Sequence, residues 1–231
     1  MDFTGFLGND AVKARLSGAF ASGRVAHSYL ICGPVGSGKH TLTRILCAAM
    51  QCEGRGEKIP CGVCSGCRKA LEGVHPDIIT VDDPEHKSMT VEPIRAARSD
   101  MFIRPNEGKR KIYIIPRGQD MNESAQNALL KTIEEPPAYA VVMLLADNPD
   151  ALLPTISSRC VQLNLKPVGD QLVKDYLMNE MHVPDYQAEV DASLAQGNIG
   201  KAERIARSPE YEETLESAPV SYTHLTLPTK R

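Results

Sequence analysis

The stretch that decides the fold runs from Ile31 to Arg68 and reads ICGPVGSGKHTLTRILCAAMQCEGRGEKIPCGVCSGCR. Its first part, Gly33-x4-Gly38-Lys39, has the spacing of a loop whose backbone N–H groups and lysine hold nucleotide phosphates. Its second part, Cys52-x8-Cys61-x2-Cys64-x2-Cys67, has the spacing of a metal site. Context raises the first match above coincidence. Ser28-Tyr29-Leu30-Ile31-Cys32 reads as a short buried strand running into the loop. Leu42, Ile45, Leu46 and Ala49 fall at i, i+3, i+4 and i+7, so a helix begins near Lys39. That order aims the partial positive charge of a helix N-terminus at bound phosphate.

Upstream, Val12, Leu16, Ala19 and Phe20 recur at helical spacing before Gly23. Downstream, residues 77–81, 111–115, 140–146 and 160–165 read as four further strands. Between them, Val91-Glu92-Pro93-Ile94 opens a helix with proline tolerated in its first turn. Ala125, Ala128, Leu129, Thr132 and Ile133 mark another, stopped by Glu135-Pro136-Pro137. This alternation predicts an α/β domain over residues 1–166, with a mainly parallel five-stranded sheet covered by helices on both faces. Lys166-Pro167 reads as a linker. Beyond it, Leu172, Val173, Tyr176 and Leu177, then 184–194 and 199–206, predict a small all-helical domain over 167–215. Residues 219–231 have no apolar period and resemble translated adaptor sequence; they are expected to be foreign to the fold, with the C-terminus truncated.

At 231 residues, with 42% hydrophobic and 24% charged residues, the composition is that of a soluble globular protein. The net charge of −3 gives no global pull toward nucleic acid or anionic membrane. No apolar run approaches the roughly 18 residues of a membrane span, and a cytoplasmic location is expected. In that reducing compartment seven cysteines argue for metal ligation over disulfides. Cys32, Cys47 and Cys160 lie in apolar or strand-like surroundings and read as core fillers. The other four suit a structural Zn²⁺ held by Cys52, Cys61, Cys64 and Cys67, with no open coordination position for catalysis. The competing reading is a redox CxxC pair or unliganded surface thiols.

The phosphate loop is flawed. A competent one continues Gly-Lys-Ser/Thr, the hydroxyl binding Mg²⁺; here His40 stands there, and imidazole is a poor ligand for so hard an ion. Thr41 comes one residue late, rotated by about 100° on the helix. The third strand should also end in an acidic residue that holds magnesium, followed by a glutamate that activates water. It ends Tyr113-Ile114-Ile115-Pro116-Arg117, and Asp120 lies past the strand end. Hydrolysis and Mg²⁺ binding are therefore not expected, while ATP binding through Gly33, Gly36, Gly38 and Lys39 stays open. The bland alternative is a glycine loop that merely turns the chain.

The order of phosphate loop, four cysteines, NALLKTIEEPP (127–137) and LLPTISSRC (152–160) resembles the bacterial DNA polymerase III clamp-loader subunits of the AAA+ class, over residues 3 to about 206. The resemblance implies an AAA+ P-loop domain with a zinc knuckle insertion, then a helical lid. It implies gamma/tau-type and delta subunits as ring partners, and the sliding clamp and primed DNA as partners through the complex. It implies, too, a collar domain that this sequence is expected to lack. It also implies that Arg159, in Ser158-Arg159-Cys160, is an arginine finger reaching a neighbouring subunit's ATP site, and that Asn148 is a candidate sensor at the end of the fourth strand. In the lid, Gly197-Asn198-Ile199-Gly200-Lys201 has glycine where the motor's sensor arginine falls. The broken magnesium positions favour the delta-prime type: a non-hydrolysing part of the DNA polymerase III holoenzyme, the DNA-directed DNA polymerase. The alternatives are an ATP-hydrolysing gamma/tau-type motor and, from another class, a free-standing zinc-containing P-loop enzyme. Arg95, Arg98, Arg104 and the run Lys109-Arg110-Lys111 form a candidate basic face toward DNA, or an ordinary solvated surface.

Overall fold

The structure, a computed structural model, describes residues 1–208 apart from 55 and 57. The expectation for 219–231, and the last residues of the expected 167–215 segment, lie outside the described residues. In chain order the elements are α1 (Asp10–Ala21), β1 (Ser28–Cys32), α2 (Lys39–Gln51), α3 (Ser65–Glu72), β2 (Ile78–Thr80), α4 (Val91–Met101), β3 (Lys111–Ile115), α5 (Glu123–Glu134), β4 (Ala140–Ala146), α6 (Pro154–Ser157), β5 (Val161–Asn164), α7 (Asp170–Met181), α8 (Asp185–Ala195) and α9 (Ile199–Ala206).

The five strands form one parallel sheet in the order β2-β3-β4-β1-β5. All seven residues of β4 are buried, as befits a central parallel strand covered on both faces. The period of two sorts its side chains between two cores. Val141, Met143 and Leu145 join Tyr29 and Ile31 of β1 against Leu16 of α1 and Leu42, Ile45 and Leu46 of α2. Val142, Leu144 and Ala146 join Leu30 and Cys32 against Ile94 and Met101 of α4 and Leu129 and Ile133 of α5. The expected sheet, with helices on both faces, is thus observed. A third cluster, built on Val173, Leu177, Ala188, Ala192 and Ala202, holds α7–α9 together.

Two expected strands are shorter than their apolar runs. Asp77 and Val81 flank β2, and Cys160 and Leu165 flank β5. Asp77 has another task. Wholly buried, its carboxylate accepts from the Asn106, Glu107 and Gly108 amides at 2.6, 3.0 and 2.7 Å, fixing the loop that leads into β3. The helices α3 and α6 have no counterpart in the apolar periodicity. α3 is capped by a cysteine thiol and α6 has only four residues, so neither carries an amphipathic stripe long enough to read.

Burial pushes the Asp77 carboxyl upward, but its three amide donors outweigh this and hold it below the ordinary carboxylate value of 3.8. The stabilisation is therefore complete above that value and is lost as pH falls through the folded-state value. Asp77→Ala is expected to lower stability by about 3 kcal/mol at pH 7. In urea unfolding, the gap between wild type and variant should narrow at pH 3; a constant gap would mean the charge is not the cause.

Candidate functional site

The phosphate loop leaves the C-terminal end of β1, and β1 lies between β4 and β5. That is where strand order reverses in an open parallel sheet and where ligands bind. The loop turns through Gly36 and Gly38, at φ +87° and +90°, conformations that favour glycine. Beside it opens a cleft of about 850 Å³, lined by the loop, residues 4–7, Arg44, Arg117, Asp147, Tyr176 and residues 197–200 among others.

Lys39 heads α2 and is buried. Its amino group donates to the Gly33 and Pro34 carbonyls and meets Asp147 Oδ1 at 2.6 Å. Desolvation, with the Lys39 cation beside it, holds the His40 imidazole below its ordinary pKa, so it is neutral at pH 7. The C-terminal helices close on the same loop through backbone. Asn198 Nδ2 donates to the Val35 carbonyl at 2.8 Å and the Gly200 amide to the Gly36 carbonyl at 3.0 Å. A Cβ on Gly200 would lie 2.6 Å from the Gly36 Cα, so the two backbones touch only because both residues lack side chains.

Past the end of β3 come Pro116 and Arg117, the two positions at which the carboxylates of a magnesium-dependent loop are expected. The Arg117 guanidinium donates to Asp82 Oδ1 at 2.8 and 2.9 Å and to the Asp83 carbonyl at 2.7 Å, with Asp120 at 3.5 Å. Asn148, the candidate sensor, lies just past the end of β4. Its Oδ1 accepts from the Asp150 amide at 2.9 Å, capping the short turn after β4, and of the two neighbours it is Asp147 that lines the cleft. Asp147 was not singled out from the sequence; its contact with Lys39 brings it into the site.

Arg159 follows α6. Its Nη2 pairs with Glu134 Oε1 at 3.0 Å and its Nη1 donates to the Thr155 carbonyl, also at 3.0 Å. Both charged side chains are nearly half exposed, at 42% and 47%. Gln126 ties the two recognisable motifs together: its Nε2 donates to the Ala151 carbonyl and its Oε1 accepts from the Leu153 amide. Register fixes where the arginine lies. Val161, the first residue of β5, pairs with Tyr29 near the start of β1, whereas the phosphate loop follows Cys32 at its end. Arg159 therefore sits at the end of the sheet opposite its own chain's cleft.

The four cysteines converge. The thiol sulfurs of Cys52, Cys61, Cys64 and Cys67 all lie within 4.8 Å of one another, and those of Cys61 and Cys67 are 3.9 Å apart. Four thiolates at about 2.3 Å from a tetrahedral Zn²⁺ stand about 3.8 Å from each other, so the donor set fits that ion. Cys52 ends α2, and Cys64 caps α3, its sulfur accepting from the Cys67 amide at 3.4 Å. The Cys64 and Val63 amides draw the Cys61 thiol down to about 6. Burial pushes Cys67 up, and Cys47 and Cys160 up to about 12, the last two as expected of core thiols. Gly62 turns the chain between Cys61 and Cys64 at φ +74°. Gly66 allows close approach, since a Cβ there would meet the Gln51 carbonyl oxygen at 2.2 Å.

A family model described as "DNA polymerase III, delta subunit" matches residues 8–169, a span containing the sheet, the loop, the cysteines and Arg159. The chain belongs to the DNA polymerase III clamp-loader subunit family. Within this clamp-loader family it is 34% identical over 165 residues to the delta' subunit of Pseudomonas aeruginosa, covering 71% of this chain and 50% of that protein. It is 32% identical over 192 residues to the delta' subunit of Bacillus subtilis, covering 83% and 57%. It is 33% identical over 184 residues to the tau subunit of Escherichia coli, covering 78% and 28%. The clamp-loader chain thus spans between about a quarter and three-fifths of these relatives' length, and delta' and tau relatives stand at the same level of identity. Among solved structures, the Thermotoga maritima RuvB Holliday junction branch migration motor superposes with a TM-score of 0.59 at 20% identity, covering 92% of this chain and 65% of that one; this shows the shared AAA+-like fold.

Metal bound in so small a module contributes folding energy on the order of 10 kcal/mol. Elemental analysis of the purified clamp-loader chain is expected to give one zinc per chain, falling well below one in Cys64→Ser. Amide exchange should then quicken across α3. A metal-free chain with unchanged protection would exclude the site.

Proposed function

We propose that this chain is a delta-prime-like stator of the DNA polymerase III clamp loader. It helps load the sliding clamp onto primed DNA, lends Arg159 to a neighbouring gamma/tau-type subunit, and hydrolyses nothing itself. One observation carries the reading: Pro116 and Arg117, the latter tied to Asp82 and Asp120, stand where a magnesium carboxylate and a water-activating glutamate are required. His40, in the place of the loop hydroxyl, supports it as well. Nucleotide held without hydrolysis, through Gly36, Gly38 and Lys39, remains compatible with the cleft.

Two features support the role proposed for Arg159. Its place opposite its own loop means that any nucleotide it serves belongs to another subunit. Its partner Glu134 is half exposed, and such surface ion pairs contribute about 0–1 kcal/mol, so exchanging that carboxylate for a phosphoryl group costs little. A guanidinium there stabilises the charge of the transferring phosphoryl group. The four cysteines, by this reading, hold zinc in a purely structural role. Direct DNA contact gains little support from the basic run: Lys109 donates to the Cys52 carbonyl, Arg110 to the Ala138 carbonyl, and Lys111 is buried beside Asp100.

The test is reconstitution of the full-length subunit with gamma-type and delta subunits, a sliding clamp and primed DNA. Arg159→Ala is expected to reduce turnover at the one site it serves by about 10³-fold, seen as loss of that site's share of the complex's ATPase. Lys39→Ala should change it little. ATPase from this subunit alone, abolished by Lys39→Ala, would instead establish the gamma/tau-type motor.

A further inference from the structure

Lys39 carries the charge that a phosphate on this loop would need, and its donors are already spent. An ammonium offers three. They go to the Gly33 carbonyl, to the Pro34 carbonyl at 3.0 Å and to Asp147 Oδ1 at 2.6 Å. The two carbonyls belong to the loop and hold the lysine across it. The third acceptor is an anionic oxygen, which is what a phosphate would present.

The fold delivers that oxygen. β1 and β4 stay in register to their last residues, Cys32 beside Ala146, and the Gly33 amide donates to the Ala146 carbonyl at 3.1 Å. The next residue of the β4 chain, Asp147, therefore arrives beside the start of the loop. Its own amide donates to Gln119 Oε1 at 3.3 Å, which ties it to the turn after β3. The lysine side chain is 7% exposed and the carboxylate 41%. Lys39 has little water to turn to, while Asp147 has room to swing outward if another anion takes its place.

The geometry points to Asp147 as an internal counter-anion that makes the loop its own ligand and sets which anions the cleft accepts. The inference rests on the reading of the loop as non-hydrolysing and adds a reason for weak phosphate binding. A pyrophosphate group must displace a carboxylate tethered at the end of a buried strand, whose effective concentration is about millimolar or higher. It must then lie beside that same negative charge. Nucleoside di- and triphosphates are the ligand class so disfavoured.

The experiment is calorimetric titration of the chain with inorganic pyrophosphate and with ATP, in wild type, Asp147→Asn and Asp147→Ala, each also combined with Lys39→Ala. Both Asp147 variants are expected to bind at least about tenfold tighter than wild type, and the gain should vanish in the Lys39→Ala background. Equal affinities, or a gain that survives Lys39→Ala, would overturn the inference. If one variant fails to fold, the other carries the comparison. In the wild-type chain, saturating pyrophosphate should shift the carboxyl carbon resonance of Asp147, and an unmoved resonance overturns it too. Phosphate release from the wild-type chain alone with ATP and Mg²⁺ tests the non-hydrolysing reading separately, since turnover there refutes that reading whatever the affinities show.

Discussion

The parallel pairing of β1 with β4 on one side and β5 on the other is the constraint on which the remaining geometry depends. Parallel register makes every strand end at the same edge, so the loop after β1, the turn after β3 and Asp147 after β4 meet around one cleft. The same register sends the residues that precede β5 to the opposite edge, where Arg159 lies. Separation of the two charged features is thus a property of the backbone, set before any side chain is chosen. The apolar alternation of β4 locks it, because a slip of one residue would exchange its two cores.

Much of this was readable from residues alone. Strand, glycine loop and helix showed in the pattern around Lys39, and the four thiols announced themselves by spacing. The expectation that magnesium ligands are missing rested on residue identity at fixed offsets. What the sequence hid was partnership across distance. Nothing in the spacing of Lys39 and Asp147, 108 positions apart, says that they touch; that needs the register of two strands. Asn148 was named as a sensor candidate through the family resemblance, and its side-chain bond to the Asp150 amide could not be read from spacing. Likewise Lys109-Arg110-Lys111 read as a basic face or an ordinary solvated surface, and spacing alone did not show that four backbone carbonyls and one aspartate accept from these side chains.

The cysteine cluster and the phosphate loop are joined by a single helix. α2 begins at Lys39 and ends one residue before Cys52, so a rigid segment of 13 residues has the loop at one end and a sulfur donor at the other. α3 packs on its last turn so closely that only glycine fits at position 66. Order in the insertion and the setting of the loop are therefore features of one mechanical element, although neither shares a side chain with the other.

The Glu134–Arg159 pair has a thermodynamic corollary. In the proposed ring the guanidinium leaves one anion for another, so the number of ion pairs it makes is the same before and after assembly. Such an exchange adds almost nothing to the driving force of association, and its response to ionic strength largely cancels. The arginine would then act as a discriminator, sensing whether the neighbouring site offers a phosphoryl group, while cohesion of the ring must come from other surfaces.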